Sequence, residues 1–376
     1  MFSRIPASVA AGVLAAAVLG GCSAETVPLE PLAWAHVAGP AQGGALLGLG
    51  AAGAFDERAN FTVSAFRDGA TTWLYYGGSD ATGACAGING SHWRVGLATS
   101  TDGVNFTRVP GDGTGGAVLD LGAPGEFDDF LAYRPFVLKD GATWRMWYNG
   151  SRKPFNCPAG TLADARRIGY AESTDGVRWT KHYDGQGPGG SALPLGGPGA
   201  IDAQQVGYVW VMKDGDQYRM YYSANDAQNF WRVGLATSTD ARNWVKVQGK
   251  QTGGAVLDLG EAGSFDAACA YQPSVVKERE GLWRMWYRAC ARPGPFGGPS
   301  GGVIGYAESN DGITWVKIPQ PGPNGAALGP GPAGQFDSGG LTTPAVFKDG
   351  ASWWMYYAAF DTTGQFLSGV ARAPVP

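Results

Sequence analysis

The hydrophobic pattern of the chain repeats a short hairpin five times. Each copy has an apolar strand, a tight turn and an aromatic strand, and Gly and Asp in the turn are typical of hairpins. The first strands with their turns read GAFDERANFTVSAFRDG, GEFDDFLAYRPFVLKDG, GAIDAQQVGYVWVMKDG, GSFDAACAYQPSVVKEREG and GQFDSGGLTTPAVFKDG, and the aromatic strands read TTWLYYGG, ATWRMWYNG, DQYRMYYSA, GLWRMWYRA and ASWWMYYAA.

Two further strands complete each unit. A third strand follows every hairpin, and four units add an outer strand after a second type of turn. The third strands read RVGLATS, RIGYAES, RVGLATS, VIGYAES and SGVARA, and the outer strands lie in STDGVNFTRV, STDGVRWTKH, STDARNWVKV and SNDGITWVKI. Four strands in about 70 residues are the size and strand count of a propeller blade.

The N-terminal segment is predicted to supply the outer strand that the fifth unit lacks. Trp34 precedes Asp56 by 22 residues, and the step from outer-strand aromatic residue to aspartate is also 22 for Phe106 to Asp128, Trp244 to Asp266 and Trp315 to Asp337, and 23 for Trp179 to Asp202. We therefore predict that residues 33–37 pair beside residues 367–373. The predicted fold class is all-β: a five-bladed β-propeller of four-stranded antiparallel blades, with the ring closed by an N-terminal strand.

The first residues have the pattern of an export signal. Arg4 precedes an apolar run too short to span a bilayer, and the run ends in Leu-Gly-Gly-Cys22, as in a bacterial lipobox. We expect a signal peptide over residues 1–21, lipidation of Cys22, a tether over residues 22–32 and the propeller over residues 33–376. The alternative is an ordinary cleaved signal with an incidental cysteine. Because Ala24 is not the aspartate that retains many lipoproteins at the inner membrane, the outer membrane or cell surface is favoured.

Charge and composition narrow the expected partners. The chain has 28 Lys and Arg against 32 Asp and Glu, without a basic run. Nucleic acid is therefore not expected, because phosphate binding needs clustered basic residues. The three histidines, His36, His92 and His182, share no spacing, so no transition-metal site is predicted. We expect a monomer that contacts the membrane only through its lipid.

Strand order places two kinds of loop at opposite ends of the units. The KDG and STDG turns, at what we call the turn end, are short and alike. The links between blades and the loops between second and third strands, at the loop-rich end, are long and dissimilar. Binding sites usually lie on irregular loops held by a regular scaffold. We therefore expect a carbohydrate site at the loop-rich end, where rings stack on sugars and polar groups bind hydroxyls.

The repeat FD…P-x-V-x-K-D-G-x-x-W-x-M-Y-Y…I-G-x-A-x-S-x-D-G-x-x-W resembles the five-bladed glycosidase superfamily of arabinanases, β-xylosidases, invertases and levansucrases. The resemblance covers residues 33–376 and lies in the repeats rather than in a catalytic motif. The S-x-D-G-x-x-W turn is one residue shorter than the Asp-box of the six-bladed sialidases. Some members of the superfamily hold an axial calcium ion, but nothing in this sequence requires one, and no cofactor is predicted.

The resemblance implies three cooperating carboxylates near the starts of the innermost strands. The candidates are Asp56 or Glu57 as nucleophile or base, Asp129 as tuning carboxylate and Asp226 as general acid. Aspartates equivalent to Asp56 recur in every blade, so capping of a turn is their alternative role, and capping of a loop is the alternative for Asp226. No glutamate matches the general acid of the superfamily.

Candidate substrate binders are polar and aromatic residues on the same end. Arg134 precedes Pro135 in an innermost strand, where its side chain would reach a ligand or pair with Asp129. The full set is Arg58, Tyr133, Arg134, Arg152, Trp231, Tyr271 and Gln272.

Four cysteines follow the lipobox, an even number that favours disulfides in an exported protein. If Arg279 and Glu280 form a two-residue turn, Cys269 lies opposite Cys290, and we predict that disulfide. No histidine is placed to activate either cysteine for catalysis. A second candidate pair lies in equivalent loops of adjacent blades: Cys85 and Cys157.

These features support a leading hypothesis and two alternatives. The leading hypothesis is an exported glycoside hydrolase that acts on an oligo- or polysaccharide, with furanoside-containing polymers as one substrate class. The alternative, which the missing glutamate favours, is a non-catalytic propeller that binds carbohydrate or another envelope protein. A phosphorylase on the same scaffold would need phosphorylated sugars from inside the cell, which fits export poorly.

Overall fold

A computed structural model describes residues 31–83, 91–153, 166–291 and 301–376. Residues Pro31–Pro376 form one compact unit. The fold is all-β and propeller-like, and its helical content in the described ranges is limited to short 3-10 turns such as Gln42–Gly44, Thr114–Gly116, Pro188–Gly190, Thr252–Gly254 and Pro323–Gly325. No helix in these ranges is both long and apolar enough to cross a bilayer. The predicted signal peptide and the lipidation site Cys22 lie outside the described residues.

Twenty strands in the described ranges form one four-stranded sheet and two eight-stranded sheets. In each eight-stranded sheet a single parallel residue pair, Trp93–Leu131 or Trp231–Cys269, joins two groups of four strands, and we call each group of four a unit. The innermost strands are β2 (Ala59–Asp68), β6 (Leu131–Asp140), β10 (Gln205–Asp214), β14 (Cys269–Arg279) and β18 (Gly340–Asp349). The second strands are β3 (Thr71–Gly83), β7 (Thr143–Ser151), β11 (Gln217–Asn225), β15 (Leu282–Cys290) and β19 (Ser352–Phe360). The third strands are β4 (Ser91–Ser100), β8 (Arg167–Ser173), β12 (Trp231–Ser238), β16 (Val303–Ser309) and β20 (Phe366–Pro374). The outer strands are β5 (Thr107–Val109), β9 (Thr180–His182), β13 (Val245–Val247), β17 (Trp315–Lys317) and β1 (Ala35–Val37).

The predicted pairing of the two ends of the chain is confirmed. Strand β1 pairs antiparallel with β20, with His36 opposite Ala371 and Val37 opposite Val370. The fifth unit therefore has the strand order β1-β20-β19-β18. A further contact joins this unit to the first, because the Tyr356 hydroxyl donates a 2.8 Å hydrogen bond to the Gly103 carbonyl.

A circle of ion pairs links the innermost strands at the turn end. In each pair, a basic side chain contacts the acid at the end of the preceding innermost strand, and Arg67 of the first strand contacts Asp349 of the last at 3.3 Å. The other pairs are Lys139–Asp68 (2.5 Å), Lys213–Asp140 (3.0 Å), Lys277–Asp214 (2.7 Å) and Lys348–Glu278 (3.5 Å). We call this set the ion-pair ring.

Aromatic side chains pack the units against one another. The rings of Trp73 and Trp144 lie 4.7 Å apart between the first and second units. Those of Phe136 and Trp210 lie 4.8 Å apart between the second and third units. Burial of such large rings supplies much of the hydrophobic stabilisation of a β-fold.

The predicted Cys269–Cys290 disulfide is confirmed. The turn at the other end of this hairpin lies one residue later than predicted. Arg279 pairs with Leu282, so the turn residues are Glu280 and Gly281, and Gly281 has a φ of 72° that suits glycine. Two register shifts along β14 compensate for this displacement and bring the cysteines directly opposite each other. The other predicted pair, Cys85 and Cys157, lies outside the described residues.

Candidate functional site

Each unit buries its Phe-Asp or Ile-Asp aspartate against a tyrosine of the second strand and a basic side chain of the outer strand. We call this arrangement the aspartate lock. In the second unit, Asp128 Oδ2 accepts hydrogen bonds from Tyr148 OH at 2.8 Å and Lys181 Nζ at 2.6 Å. The corresponding sets are Asp56–Tyr76–Arg108, Asp202–Tyr222–Lys246, Asp266–Tyr287–Lys317 and Asp337–Tyr357–His36. The recurrent aspartates thus tie the outer strand of a unit to its second strand.

The locks have a clear electrostatic signature. Burial, and then the charge of the adjacent aspartate, raise the pKa of Tyr148 well above its usual value. The same causes raise the pKa of the lock tyrosines Tyr222, Tyr287 and Tyr357. Burial also lowers the pKa of Lys181, against the attraction of Asp128. The lock tyrosines therefore stay neutral and can donate their hydroxyl hydrogen to the aspartate.

Glu57 and Asp129, the acids that follow two of the locks, bind loop backbone. Glu57 accepts one hydrogen bond from the Gly53 amide and one from the Ala81 amide, each at 2.7 Å. Asp129 Oδ2 accepts a 2.8 Å hydrogen bond from the Gly125 amide. Both acids thus cap the turn that enters their unit.

Asp226 caps its own loop and neutralises a buried arginine. Its Oδ1 accepts hydrogen bonds from the amides of Gln228 (3.0 Å) and Phe230 (2.9 Å). Its Oδ2 lies 2.5 Å from Arg232, which also binds Asp258 at 2.6 Å. Both carboxylate oxygens are therefore engaged. No hydrogen bond in the described ranges joins Asp226 to Asp56, Glu57 or Asp129, the other acids predicted for catalysis.

The innermost strands share a bulge towards the loop-rich end. A register shift interrupts each innermost strand at this point. At four equivalent positions the backbone has a positive φ without glycine, which is strained for an ordinary residue and clusters at functional sites. These residues are Arg134 (54°), Tyr208 (47°), Gln272 (55°) and Thr343 (45°).

Side chains of neighbouring units hold these strained residues in place. The Tyr208 amide donates to Asn149 Oδ1 at 2.9 Å, and the Gln272 amide donates to Ser223 Oγ at 2.9 Å. The Thr343 amide donates to Gln272 Oε1 at 3.0 Å. The bulges are thus built by contacts between units, not by one strand alone.

The bulges gather a group of aromatic and cationic side chains that we call the axial cluster. The Arg134 guanidinium lies between the rings of Phe61 (4.4 Å) and Tyr208 (4.2 Å). The rings of Trp231 and Tyr271 stack at 5.0 Å. We define the cluster as Phe61, Tyr133, Arg134, Arg166, Tyr208, Trp231, Tyr271, Gln272, Arg288, Thr342 and Thr343.

A polar chain extends across the cluster from Arg288. Arg288 Nη1 donates to the Tyr271 hydroxyl at 2.8 Å and lies 3.5 Å from Thr342 Oγ1. The Thr342 hydroxyl in turn donates to Gln272 Oε1 at 2.5 Å. These hydrogen bonds fix the orientation of the Arg288 side chain.

The axial cluster has a positive electrostatic environment. Burial raises the pKa of a phenol, but the Arg134, Arg166 and Arg288 guanidiniums outweigh burial at Tyr208 and lower its pKa below the usual value. The pKa of Tyr271 is raised by burial, in spite of Arg288. Of the three tyrosines in the cluster, Tyr208 is thus the one whose pKa is lowered.

This environment predicts an unusual alkaline titration. We expect one phenolate to form below the usual tyrosine pKa, and Tyr208→Phe to remove that early step in ultraviolet absorbance. The control Tyr148→Phe should leave the early step unchanged, because the pKa of Tyr148 is raised. An early step that persists in Tyr208→Phe would contradict the assignment.

The structure brings most of the predicted binding residues together. Tyr133, Arg134, Trp231, Tyr271 and Gln272 all belong to the axial cluster. The two other predicted binders, Arg58 and Arg152, are exposed, and neither side chain contacts the cluster in the described ranges.

Sequence reasoning missed the other six members of the axial cluster: Phe61, Arg166, Tyr208, Arg288, Thr342 and Thr343. The repeats contain the missing signal, because Tyr208 occupies the repeat position of Arg134. Arg288 likewise occupies the position of Asn149, which follows the aromatic pair of its second strand. The axial cluster is thus formed at repeat positions where the residue type changes from one repeat to the next.

An open cavity of about 650 Å³ lies at the turn end, opposite to the end predicted for the ligand. Its walls include Phe136, Trp210, Val275 and Val346, and the basic residues of the ion-pair ring stand around it. These charges already have acidic partners. We therefore place the candidate site at the axial cluster, where buried N–H groups of Arg134 and Arg288 have no acceptor in the part of the chain that the structure describes. Within the described ranges, no group of three or more His, Cys, Asp and Glu residues could hold a metal ion.

The fold of this chain is similar to that of solved glycosidase structures. A structure named glycoside hydrolase has a TM-score of 0.65 and 16% identity, with 90% of this chain and 93% of that chain covered. A glycosyl hydrolase from Bacteroides ovatus gives a TM-score of 0.61 and 18% identity over 85% and 86% of the two chains. The β-1,2-mannobiose phosphorylase from Listeria innocua gives 0.57 and 13% over 84% and 90%. At these identities the similarity establishes the fold.

No protein-family model matches the chain. A curated relative, uncharacterized protein Rv1502 of Mycobacterium tuberculosis, is 31% identical over 234 residues, which cover 61% of this chain and 67% of that protein. The chain belongs to the family of Rv1502.

Proposed function

We propose that the protein is a glycan-active enzyme whose sugar site is the axial cluster. The observation that carries this proposal is the convergence of aromatic rings and hydrogen-bonding side chains on the bulges of the innermost strands. Aromatic faces bind the apolar faces of sugars, and fixed polar groups bind hydroxyls. The glycosidase and phosphorylase structures with the same fold support glycosyl-bond cleavage as the reaction class.

Among the predicted acids, Asp129 is our first candidate for the reaction. One of its carboxylate oxygens binds the Gly125 amide, and the side chain is only partly buried. Asp56 is committed to its lock, and both oxygens of Asp226 are engaged. Glu57 binds two backbone amides. Because these carboxylates are already occupied by hydrogen bonds and ion pairs within the protein, a second candidate function is carbohydrate binding without catalysis.

Binding and turnover on the same glycans distinguish the two functions. We expect the protein to bind a subset of a glycan array and to release shortened products from it. Trp231→Ala should weaken binding about tenfold, because a stacked ring contributes on the order of 1–2 kcal/mol. Glu57→Gln, Asp129→Asn and Asp226→Asn combined should abolish turnover while binding persists.

Two outcomes would contradict parts of this proposal. Undiminished turnover in the triple variant would remove the acid assignment. Binding without any product from the parent protein would select the non-catalytic function. Phe230→Ala, outside the axial cluster, is a matched aromatic control that should leave glycan binding unchanged.

We also propose that the five units form a closed five-bladed propeller in an exported, lipid-anchored protein. The β1–β20 pairing joins the N-terminal segment to the last strand, and the Arg67–Asp349 ion pair joins the first unit to the last, so both support closure. The lipobox at Cys22 and the disulfide support export, because disulfides persist in oxidising compartments. Incorporation of a labelled fatty acid, lost in Cys22→Ser, tests the anchor.

A further inference from the structure

We propose that the ligand of the axial cluster carries an oxyanion, a carboxylate or phosphate, that binds Arg134 and Arg288. This inference rests on the proposed glycan site and specifies the class of glycan. It predicts acidic or phosphorylated sugars in place of neutral ones.

The buried arginines differ in whether they pair with a carboxylate. Five arginines in the described ranges are at least nine-tenths buried: Arg94 (6% exposed), Arg134 (7%), Arg232 (7%), Arg284 (3%) and Arg288 (3%). Three of them pair with carboxylates: Arg94 with Asp80 and Asp120, Arg232 with Asp226 and Asp258, and Arg284 with Glu278.

Arg134 and Arg288 differ from the other three. No carboxylate of the described residues lies within ion-pair distance of either guanidinium, and both belong to the axial cluster. A buried charge without a counter-charge costs several kcal/mol. Such sites are typical of ligand binding, where the counter-charge comes from the ligand.

The Arg288 guanidinium has N–H groups that bind no acceptor in the described ranges. Arg288 Nη1 contacts Tyr271 and Thr342, whereas its Nε and Nη2 have no hydrogen-bond acceptor among the residues that the structure describes. Nε and Nη2 form the side edge of the guanidinium, which binds carboxylate or phosphate through two parallel hydrogen bonds.

Arg134 contributes charge in the same region. The rings of Phe61 and Tyr208 lie against its guanidinium, but within the described ranges its Nε and Nη1 have no hydrogen-bond acceptor. Ring faces stabilise the cation without satisfying its N–H groups. The lowered pKa of Tyr208 agrees with a site that favours negative charge.

Matched ligands test the charge requirement without altering the protein. An acidic polysaccharide and its carboxyl-reduced form differ only in the carboxylate, and glucose 6-phosphate and glucose differ only in the phosphate. By calorimetry we expect the charged member of at least one pair to bind at least tenfold more tightly. Inorganic phosphate alone is the third probe, and it separates a free oxyanion from one attached to sugar.

Variants then test the assigned residues. Arg288→Gln and Arg134→Gln should each weaken binding of the charged ligand about 10- to 100-fold, the loss expected for hydrogen bonds to a charged group, with much less effect on the neutral ligand. Arg288→Lys keeps the charge and should retain part of the affinity, which guards against misfolding as the cause. Arg219→Gln, at the turn end beside Asp214, should have no effect.

The binding results distinguish failure of the oxyanion inference from failure of the proposed glycan site. Neutral glycans that bind as well as their charged partners would overturn the oxyanion inference and leave the glycan site intact. No binding of any sugar, charged or neutral, would overturn both. Tight binding of phosphate alone, lost in Arg288→Gln, would support the oxyanion site with a free anion as its source.

Discussion

Replacing Asp128 with alanine should lower the free energy of unfolding by about 3–5 kcal/mol, the cost of removing one partner from a buried ion pair. Asp128 is fully buried, and its loss leaves the Lys181 ammonium and the hydroxyls of Tyr148 and Tyr183 without their shared acceptor. Chemical denaturation of the variant and the parent protein measures the difference.

The adjacent acid provides a matched control. Asp129→Ala removes one capping hydrogen bond to the Gly125 amide and should cost about 1 kcal/mol. Replacing Asp128 and Lys181 together with apolar residues should recover part of the loss, because no unpaired charge then stays buried. Equal destabilisation by Asp128→Ala and Asp129→Ala would contradict the lock as a stabilising element.

Replacing Cys269 and Cys290 with alanine should lower the free energy of unfolding by about 3 kcal/mol, as expected for a cross-link that closes a loop of this size. The cysteines are 21 residues apart in sequence. They also pack beside Tyr208, Tyr271 and Trp231 of the axial cluster, so the near-ultraviolet circular dichroism of these rings should change.

Reductant supplies the control for the disulfide. It should destabilise the parent protein and leave the Cys269→Ala, Cys290→Ala variant unaffected at this position. Mass-spectrometric thiol counting without reductant should find neither cysteine free. Free thiols at Cys269 and Cys290 in the folded, exported protein would refute the cross-link.

The arrangement of strands could be predicted because it repeats. A step of 22 or 23 residues from the outer-strand aromatic residue to the aspartate predicted that β1 is a strand, and its pairing with β20 confirms this. The disulfide was also predicted, but through a turn placed one residue too early. Two bulges in β14 corrected that error, and bulges have no simple signal in a single sequence.

The site was harder to predict because its chemistry depends on contacts between units. The role of Asp56 required knowing that Tyr76 and Arg108 reach it. The unusual state of Arg288 follows from the absence of an acid near it in the described ranges, which spacing does not reveal. Comparing the repeats position by position, rather than searching for catalytic acids, would have identified Arg288 and Tyr208.

The pairing of the first strand with the last has a consequence for biosynthesis. His36 and Tyr357, which meet in the fifth unit, are 321 residues apart. A growing polypeptide can assemble its early units from neighbouring segments, but β1 has no partner until the final strand has been made. Long-range pairing of this kind slows folding and leaves strand edges open to other copies. Incomplete nascent chains are therefore the forms of this protein most prone to aggregation.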